Sequence, residues 1–247
     1  MTGKPKIALC LSGEPRSSMA SFPYMYESFL KDNHLYDIDV YAHSWKGFRA
    51  LDLYNPKKYI IEKTNQELYS LNEIPKFTNL PKEVEILFKI SEGFTPNVSL
   101  VKNNILMIHS IKKCFDLVEE PYDLYIRCRY DIFFRSKFFI YPIIKDLLEQ
   151  KYDMFIPLRF AYRTEGGNKY NDQIAIGNYS SMKIYTDIID NLNLVINKTN
   201  KWNFEMWLKY WLDFKKVRIN RHFVDYTLIR NSSLTTSEIG FNNFLDE

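Results

Sequence analysis

The sequence predicts an α/β protein with a mostly parallel, Rossmann-like central sheet flanked by helices, in a single domain. Three observations carry this expectation. Short apolar runs alternate with helical patterns along the chain, the order that builds parallel sheets. Each of the first two apolar runs stops at polar residues, as strands do where they leave a core. At 247 residues and 46% hydrophobic, the chain is long enough to bury one sizeable core without staples.

The elements follow in order. Lys6-Ile-Ala-Leu-Cys-Leu-Ser12 reads as a buried strand, and Ser12-Gly13-Glu14-Pro15-Arg16 as the turn that ends it. Residues 16 to 31 read as helical, with Pro23 making the first part irregular. Asp37 to Ala42 is a second strand, ending in His43-Ser44-Trp45. From 46 to 97 the pattern weakens to loops and short elements, with a strand candidate at Tyr59-Ile-Ile-Glu62. Helical periodicity returns from Ser99 to Val118, where Val101, Ile105, Ile108, Ile111 and Phe115 form an apolar stripe.

The most informative segment comes next. Asp123-Leu-Tyr-Ile-Arg-Cys-Arg-Tyr-Asp131 reads as a strand with Leu124, Ile126, Cys128 and Tyr130 on one face and Tyr125, Arg127, Arg129 and Asp131 on the other. Two arginines and a carboxylate are costly to bury unless they pair with each other, a metal or an anionic ligand. A helix end and strand follow at Glu149 to Pro157, then a Gly166-Gly167 loop and a strand at Asn171-Asp-Gln-Ile-Ala-Ile-Gly177. A helix around Ser180 to Asn191, an aromatic helix from Trp202 to Phe214 and a strand from Phe223 to Arg230 complete the pattern. No repeat or interdomain linker interrupts it. A first half over about 1–135, a second over about 136–230 and a tail over 231–247 are expected within that one domain.

Charge and cysteine content narrow the function classes. The formal charge of +3 is small against 33 basic and 30 acidic residues, which are interspersed, so nucleic acid is not the expected partner. Cys10, Cys114 and Cys128 are widely spaced among apolar neighbours and read as reduced core thiols, with neither a disulfide framework nor a zinc spacing. The N-terminal residues lack a signal-peptide pattern, and no window is apolar enough to span a membrane. A cytoplasmic protein is expected, with the sequons at Asn97, Asn178, Asn197 and Asn231 read as products of Asn-rich composition. A peripheral membrane contact stays open, since the surplus of Lys and Arg permits one without predicting it.

In open parallel sheets, ligands bind beyond the carboxyl ends of the strands. Ser12, Gly13 and Arg16 from the first strand, His43, Ser44 and Trp45 from the second, and Arg127, Arg129 and Asp131 from the charged strand all map to that rim. A glycine turn with an arginine suits a phosphate; taken alone, it reads first as an ordinary strand-to-helix turn with a capping serine. Neither a Gly-x-Gly-x-x-Gly fingerprint nor a P-loop motif occurs, which speaks against a dehydrogenase and a P-loop enzyme. His43 reads as a hydrogen-bonded structural histidine rather than a metal ligand, and Trp45 as a stacking surface or core cover. The charged run has an ion-pair ladder as its plain alternative. Asp172, flanked by Asn171 and Gln173, suits sugar hydroxyls or general-base work, or is a turn before a strand. Glu205, set among aromatics, is either an acid of raised pKa or a solvated helix position.

Taken together, Ile7-Ala-Leu-Cys-Leu-Ser-Gly-Glu-Pro-Arg16, Asp39-Val-Tyr-Ala-His-Ser-Trp45, Tyr122-Asp-Leu-Tyr-Ile-Arg-Cys-Arg-Tyr-Asp131 and Asn171-Asp-Gln-Ile-Ala-Ile-Gly177 resemble a family of glycosyltransferase-like proteins of the GT-A type. Such proteins occur in bacterial polysaccharide-synthesis loci and in large DNA viruses, and the match runs over about residues 6 to 215. The resemblance implies a GT-A fold and transfer of a hexose or deoxyhexose from a nucleotide-sugar donor to a glycan acceptor. It places Ser12, Gly13 and Arg16 near the nucleotide, Asn103 and Ser110 as further donor contacts, and Arg127 or Arg129 on the donor phosphates or sugar. Asp172 becomes the acceptor-side base of an inverting reaction, with Glu205 as the alternative. Mn²⁺ or Mg²⁺ is implied on Asp131, the last position of the usual Asp-x-Asp. Arg129 stands at the first position, so the implied alternatives are a cation held by one carboxylate and a site in which arginine supplies the charge without metal. A non-catalytic nucleotide- or carbohydrate-binding protein of the same fold is the competing reading. Under the metal reading, Asp131→Asn removes turnover and leaves the fold intact.

Overall fold

β1 (Lys6–Gly13) is an interior strand of the sheet, as its apolar sequence requires: every residue from Ile7 to Ser12 is buried. The computed structural model describes residues 3–31, 35–45, 47, 50–62, 96–136, 138–158, 169–199 and 203–229. Gly166-Gly167, the side chain of Val101, Arg230 and the 231–247 tail lie outside the described residues, as does most of the weakly patterned region before Pro96.

β1 is paired in parallel with β2 (Asp37–Ser44) on one side and β4 (Leu124–Cys128) on the other. β3 (Lys58–Ile61) extends the sheet beyond β2. On the far side come β7 (Ile174–Gly177), β6 (Met154–Phe155) and β8 (Ile219–Asn220), giving the order β3-β2-β1-β4-β7-β6-β8. β7 is antiparallel to both its neighbours, while β6 and β8 pair in parallel. The fold is therefore α/β with a mostly parallel seven-stranded sheet to which residues on both sides of position 136 contribute strands. β5 (Ile132–Phe134) and β9 (Tyr226–Leu228) form a separate antiparallel pair.

The period-2 pattern sets the two faces. Ile7, Leu9 and Leu11 share one core with Leu124, Ile126, Cys128 and Tyr130, covered by α1 (Ser18–Met25) and α4 (Tyr141–Leu148). Ala8, Cys10, Tyr41 and Tyr125 face the other, beneath α3 (Pro96–Asp116). Ile105, Ile108, Ile111 and Phe115 of α3 are all buried there, each worth about 1.5–3 kcal/mol of apolar burial. The second face is completed by α5 (Tyr179–Thr186), a 3-10 turn (Asp187–Asn191), α6 (Leu192–Thr199) and α7 (Phe204–Phe214), whose Trp207 and Trp211 are fully enclosed.

Several elements differ from the sequence pattern. The first helix is α-helical only to Met25 and widens into a π-turn at Tyr26–Leu30, with Pro23 in its interior depriving one carbonyl of a partner. A short helix, α2 (Ala50–Tyr54), lies in the weak region. The charged strand ends at Cys128, so Arg129, Tyr130 and Asp131 form a turn rather than the last residues of a ladder. The last strand runs only over Tyr226–Leu228 and joins the small pair, because Phe134 and Tyr226 close that end of the core. Cys10, Cys114 and Cys128 are buried free thiols, and burial pushes the Cys128 thiol up to about 12.

Candidate functional site

The carboxyl ends of β1 and β4 open onto a cavity of about 390 Å³. Its walls come from distant parts of the chain: Ser12, Gly13, Glu14 and Arg16 after β1, Trp45 after β2, Asn103, Asn104, Leu106 and Met107 from α3, Arg127 and Arg129 from β4 and its turn, Asp172 and Gln173 before β7, and Asn203, Phe204 and Glu205 at the start of α7. Among the expected site residues, Ser12, Gly13, Arg16, Asn103, Arg127, Arg129, Asp172 and Glu205 are thus brought together.

Each segment has a local reason to be there. Gly13 ends β1 at φ 119°, a conformation that favours glycine and turns the chain out of the sheet. Ser12 is not the helix cap: Ser17 holds that position, without a side-chain capping bond, and the Ser12 hydroxyl is buried without a hydrogen-bond partner among the described residues. The Tyr130 hydroxyl ties the rim of two strands, lying 3.1 Å from the carbonyl oxygens of Leu11 and His43. Asp172 and Gln173 reach the same rim because β7 runs antiparallel, so its start, not its end, meets the end of β4. Asn171 pins that turn: its side-chain oxygen accepts from Gln173 N at 2.8 Å, and its amide donates to the Tyr226 hydroxyl. On α7 the Asn203 side chain caps the helix by accepting from Met206 N at 3.2 Å, which sets Glu205 in the first turn.

Arg127 is the centre of the electrostatics. It is 1% exposed, one guanidinium nitrogen (Nη1) donates to the Asp172 carbonyl oxygen, and Nε and Nη2 have no hydrogen-bond partner among the described residues. Gln173 Oε1 is likewise buried without one. Polar atoms left unpaired in a protein interior are costly, and here they belong to residues that line one cavity.

Asp131 and Ser110 do not line the cavity. Asp131 is fully buried, and both its oxygens accept from Arg129, Nε to Oδ1 and Nη2 to Oδ2 at 2.7 Å each, with Arg16 Nη1 3.7 Å from Oδ2. Burial works to lower the Arg129 pKa, but the Asp131 carboxylate outweighs it and holds the guanidinium above its ordinary value. A Mg²⁺ or Mn²⁺ ion needs carboxylate oxygens open to its own coordination shell. Both Asp131 oxygens are engaged by a guanidinium fork, so these residues do not fit the cation implied on Asp131. Ser110 lies on α3 about 10 Å along the helix axis from Asn103, fully buried, where its Oγ meets His43 Nδ1 at 2.6 Å. There it holds a histidine, outside the cavity lining.

Asn104, Asn203 and Glu14 were not singled out by sequence reasoning, and isolated Asn and Glu residues in an Asn-rich chain carry no signal of a site. No family model matches this chain, and no curated protein matches it either. Among solved structures it is similar to a Bacillus anthracis protein assigned as a glucose-1-phosphate thymidylyltransferase and solved in complex with a sucrose: TM-score 0.48, 10% identity, covering 93% of this chain and 91% of that one. A likeness of that order says nothing about the chemistry of this cavity. No described helix is long and apolar enough to cross a membrane.

Proposed function

We propose that this chain is a glycosyltransferase that moves a hexose or deoxyhexose from a nucleotide diphosphate sugar to a glycan acceptor. The observation that supports this most is Arg127, a buried guanidinium with two unpartnered nitrogens on the wall of a polar cavity. Guanidinium forks match phosphate oxygens, and a diphosphate would meet the donors that the protein leaves unmet. Arg127 binds the donor phosphates; Arg129 and Arg16, leaning on Asp131, add charge beside it. Ser12 and Gly13 contact the nucleotide portion, and Asn103 contributes an amide from α3.

In an inverting reaction, a carboxylate takes the proton from the acceptor hydroxyl while that oxygen bonds to the anomeric carbon. The bond from that carbon to the diphosphate breaks, and the leaving diphosphate departs with the electron pair, its charge met by the arginines. Asp172 is the base in this reading, and Glu205 is the alternative across the cavity. The cationic help comes from side chains, since Asp131 is committed to Arg129.

The alternative is a nucleotide- or carbohydrate-binding protein without turnover, favoured specifically by Arg129 occupying Asp131. A thermal-shift screen of the purified protein against UDP, GDP, dTDP and CMP, each with Mn²⁺ and with EDTA, tests the donor class. Stabilisation by one nucleoside diphosphate in EDTA is the expected result. Hydrolysis of the matching sugar nucleotide then separates an enzyme from a binder, and no shift with any nucleotide refutes the glycosyltransferase and the nucleotide binder and leaves a carbohydrate binder.

A further inference from the structure

Behind Trp45 lies a second cluster that the donor reading does not use. His43 is the second-last residue of β2, Glu62 follows β3, and His109 sits on α3 one residue before Ser110. Glu62 Oε2 lies 3.4 Å from His43 Nε2 and 3.2 Å from His109 Nε2, and one ligand atom from each of the three residues falls within 4.8 Å of the others. His43 is fully buried and His109 nearly so, while Glu62 keeps a quarter of its side chain exposed.

From this geometry we propose that His43, Glu62 and His109 form a binding site for a borderline transition-metal ion, Zn²⁺ above all, separate from the sugar-nucleotide cavity. Two imidazoles and one carboxylate are a zinc donor set. Ligand atoms about 2.0–2.1 Å from a tetrahedral zinc lie about 3.3 Å apart, which is the spacing from Glu62 to each histidine. A second observation concerns His43 Nε2: it is buried with no hydrogen-bond partner among the described residues and lies 3.4 Å from Glu62 Oε2. Its other nitrogen, Nδ1, is held by Ser110 Oγ at 2.6 Å. With Nδ1–H donated to Ser110, Nε2 presents its lone pair to the cluster, the arrangement by which a neighbouring hydrogen bond fixes the tautomer of a metal-bound histidine. Trp45 locks the rings, stacked on His109 at 5.6 Å and edge-on to His43 at 5.1 Å.

Because Trp45 also lines the sugar-nucleotide cavity, an ion here would stiffen one wall of that cavity without touching a donor.

The test uses the full chain stripped with a chelator and titrated with Co²⁺ in the absence of any nucleotide. Saturable, stoichiometric binding with visible d–d absorption is expected, displaced by Zn²⁺ and untouched by excess Mg²⁺. Glu62→Gln and His109→Gln should abolish it, and Ser110→Ala should weaken it about 10- to 100-fold. Glu62→Gln, at a part-exposed position, keeps the test valid if a histidine variant fails to fold. Absence of saturable Co²⁺ binding overturns the proposal. So does Co²⁺ binding that survives unchanged in both Glu62→Gln and His109→Gln, because the ion then sits elsewhere.

Discussion

Replacing Arg127 by Met separates a ligand-binding arginine from a structural one. The change keeps most of the buried stem and removes the guanidinium. Lost with it is the bond from Nη1 to the Asp172 carbonyl, about 1.5–3 kcal/mol for a charge-assisted hydrogen bond. That carbonyl is not orphaned, because the Tyr185 hydroxyl also donates to it at 3.3 Å. Gained is relief from burying a charge whose Nε and Nη2 have no partner, a penalty of several kcal/mol for an uncompensated ion. The second quantity equals or exceeds the first, so R127M is expected to be at least as stable as wild type, read as the urea midpoint at unchanged m. Nucleoside diphosphate affinity, by contrast, should fall about 10- to 150-fold, since the phosphates lose a bond of the same 1.5–3 kcal/mol class. Stability held while affinity drops is the signature of a residue kept for its ligand. A variant that loses about 3 kcal/mol or more of stability and binds nucleotide as before would refute the reasoning and make Arg127 a structural ion.

Other expected outcomes follow from single contacts. Asp131→Asn breaks a bidentate buried pair and should cost about 3 kcal/mol in urea unfolding, the lower end for such pairs because Arg129 keeps 18% side-chain exposure; this replaces the sequence expectation that the fold would be untouched, and an unchanged midpoint would contradict it. Gly177→Ala places a Cβ against Ser181 Oγ, with Asp153 O at 3.2 Å and Met182 Cγ at 3.3 Å. The serine cannot retreat without losing its 2.7 Å bond to Asp153 O, so a loss of about 1–3 kcal/mol is expected by thermal or urea unfolding. The fork from Arg218 holds the Asp153 carboxyl below its ordinary value. Its stabilisation is present above the unfolded pKa, about 3.9, and is lost as pH falls through the lower folded value. The stability gap between Asp153→Asn and wild type, open at neutral pH, should close below about pH 4.

What could be read from the sequence was what burial imposes locally. The two faces of β1 and β4 and the stripe on α3 follow from periods of 2 and 3.6, and the structure keeps them up to Cys128. Past that point the chain turns, and no period predicts that Arg129 folds back onto Asp131. Strand direction was equally hidden: Asn171 to Gly177 has one apolar pattern whether it runs parallel or antiparallel, yet only the antiparallel choice brings Asp172 to the rim. Ser110 lies outside the cavity because its hydroxyl is buried against His43 Nδ1, a pairing across 67 residues that no local pattern shows. The His43, Glu62 and His109 cluster draws on three segments, with no motif spacing to betray it.

The charges around the cavity bear on the proposed donor. Arg16, Arg127 and Arg129 face it together with Glu14, Asp172 and Glu205, so cations and carboxylates balance on its walls, and Asp131 lies behind them. A site for bare phosphate or nucleic acid would leave its positive charge uncompensated. Nor do the lining carboxylates gather into a metal cage: among the described residues, only His43, Glu62 and His109 bring three such ligand atoms within 4.8 Å. Under the donor reading, arginines set beside carboxylates and amides would meet a ligand that is itself divided, hydroxyl-rich at one end and anionic at the other. A sugar nucleotide has that division. The affinity for a nucleoside diphosphate alone should therefore depend on Arg127 and be nearly indifferent to Asp172→Asn, whereas discrimination among sugars on the intact donor should depend on Asp172 and Gln173. Calorimetry of both variants with the diphosphate and with its sugar conjugate reads the two dependences separately, and a common loss on both ligands would show that the cavity does not divide its ligand in this way.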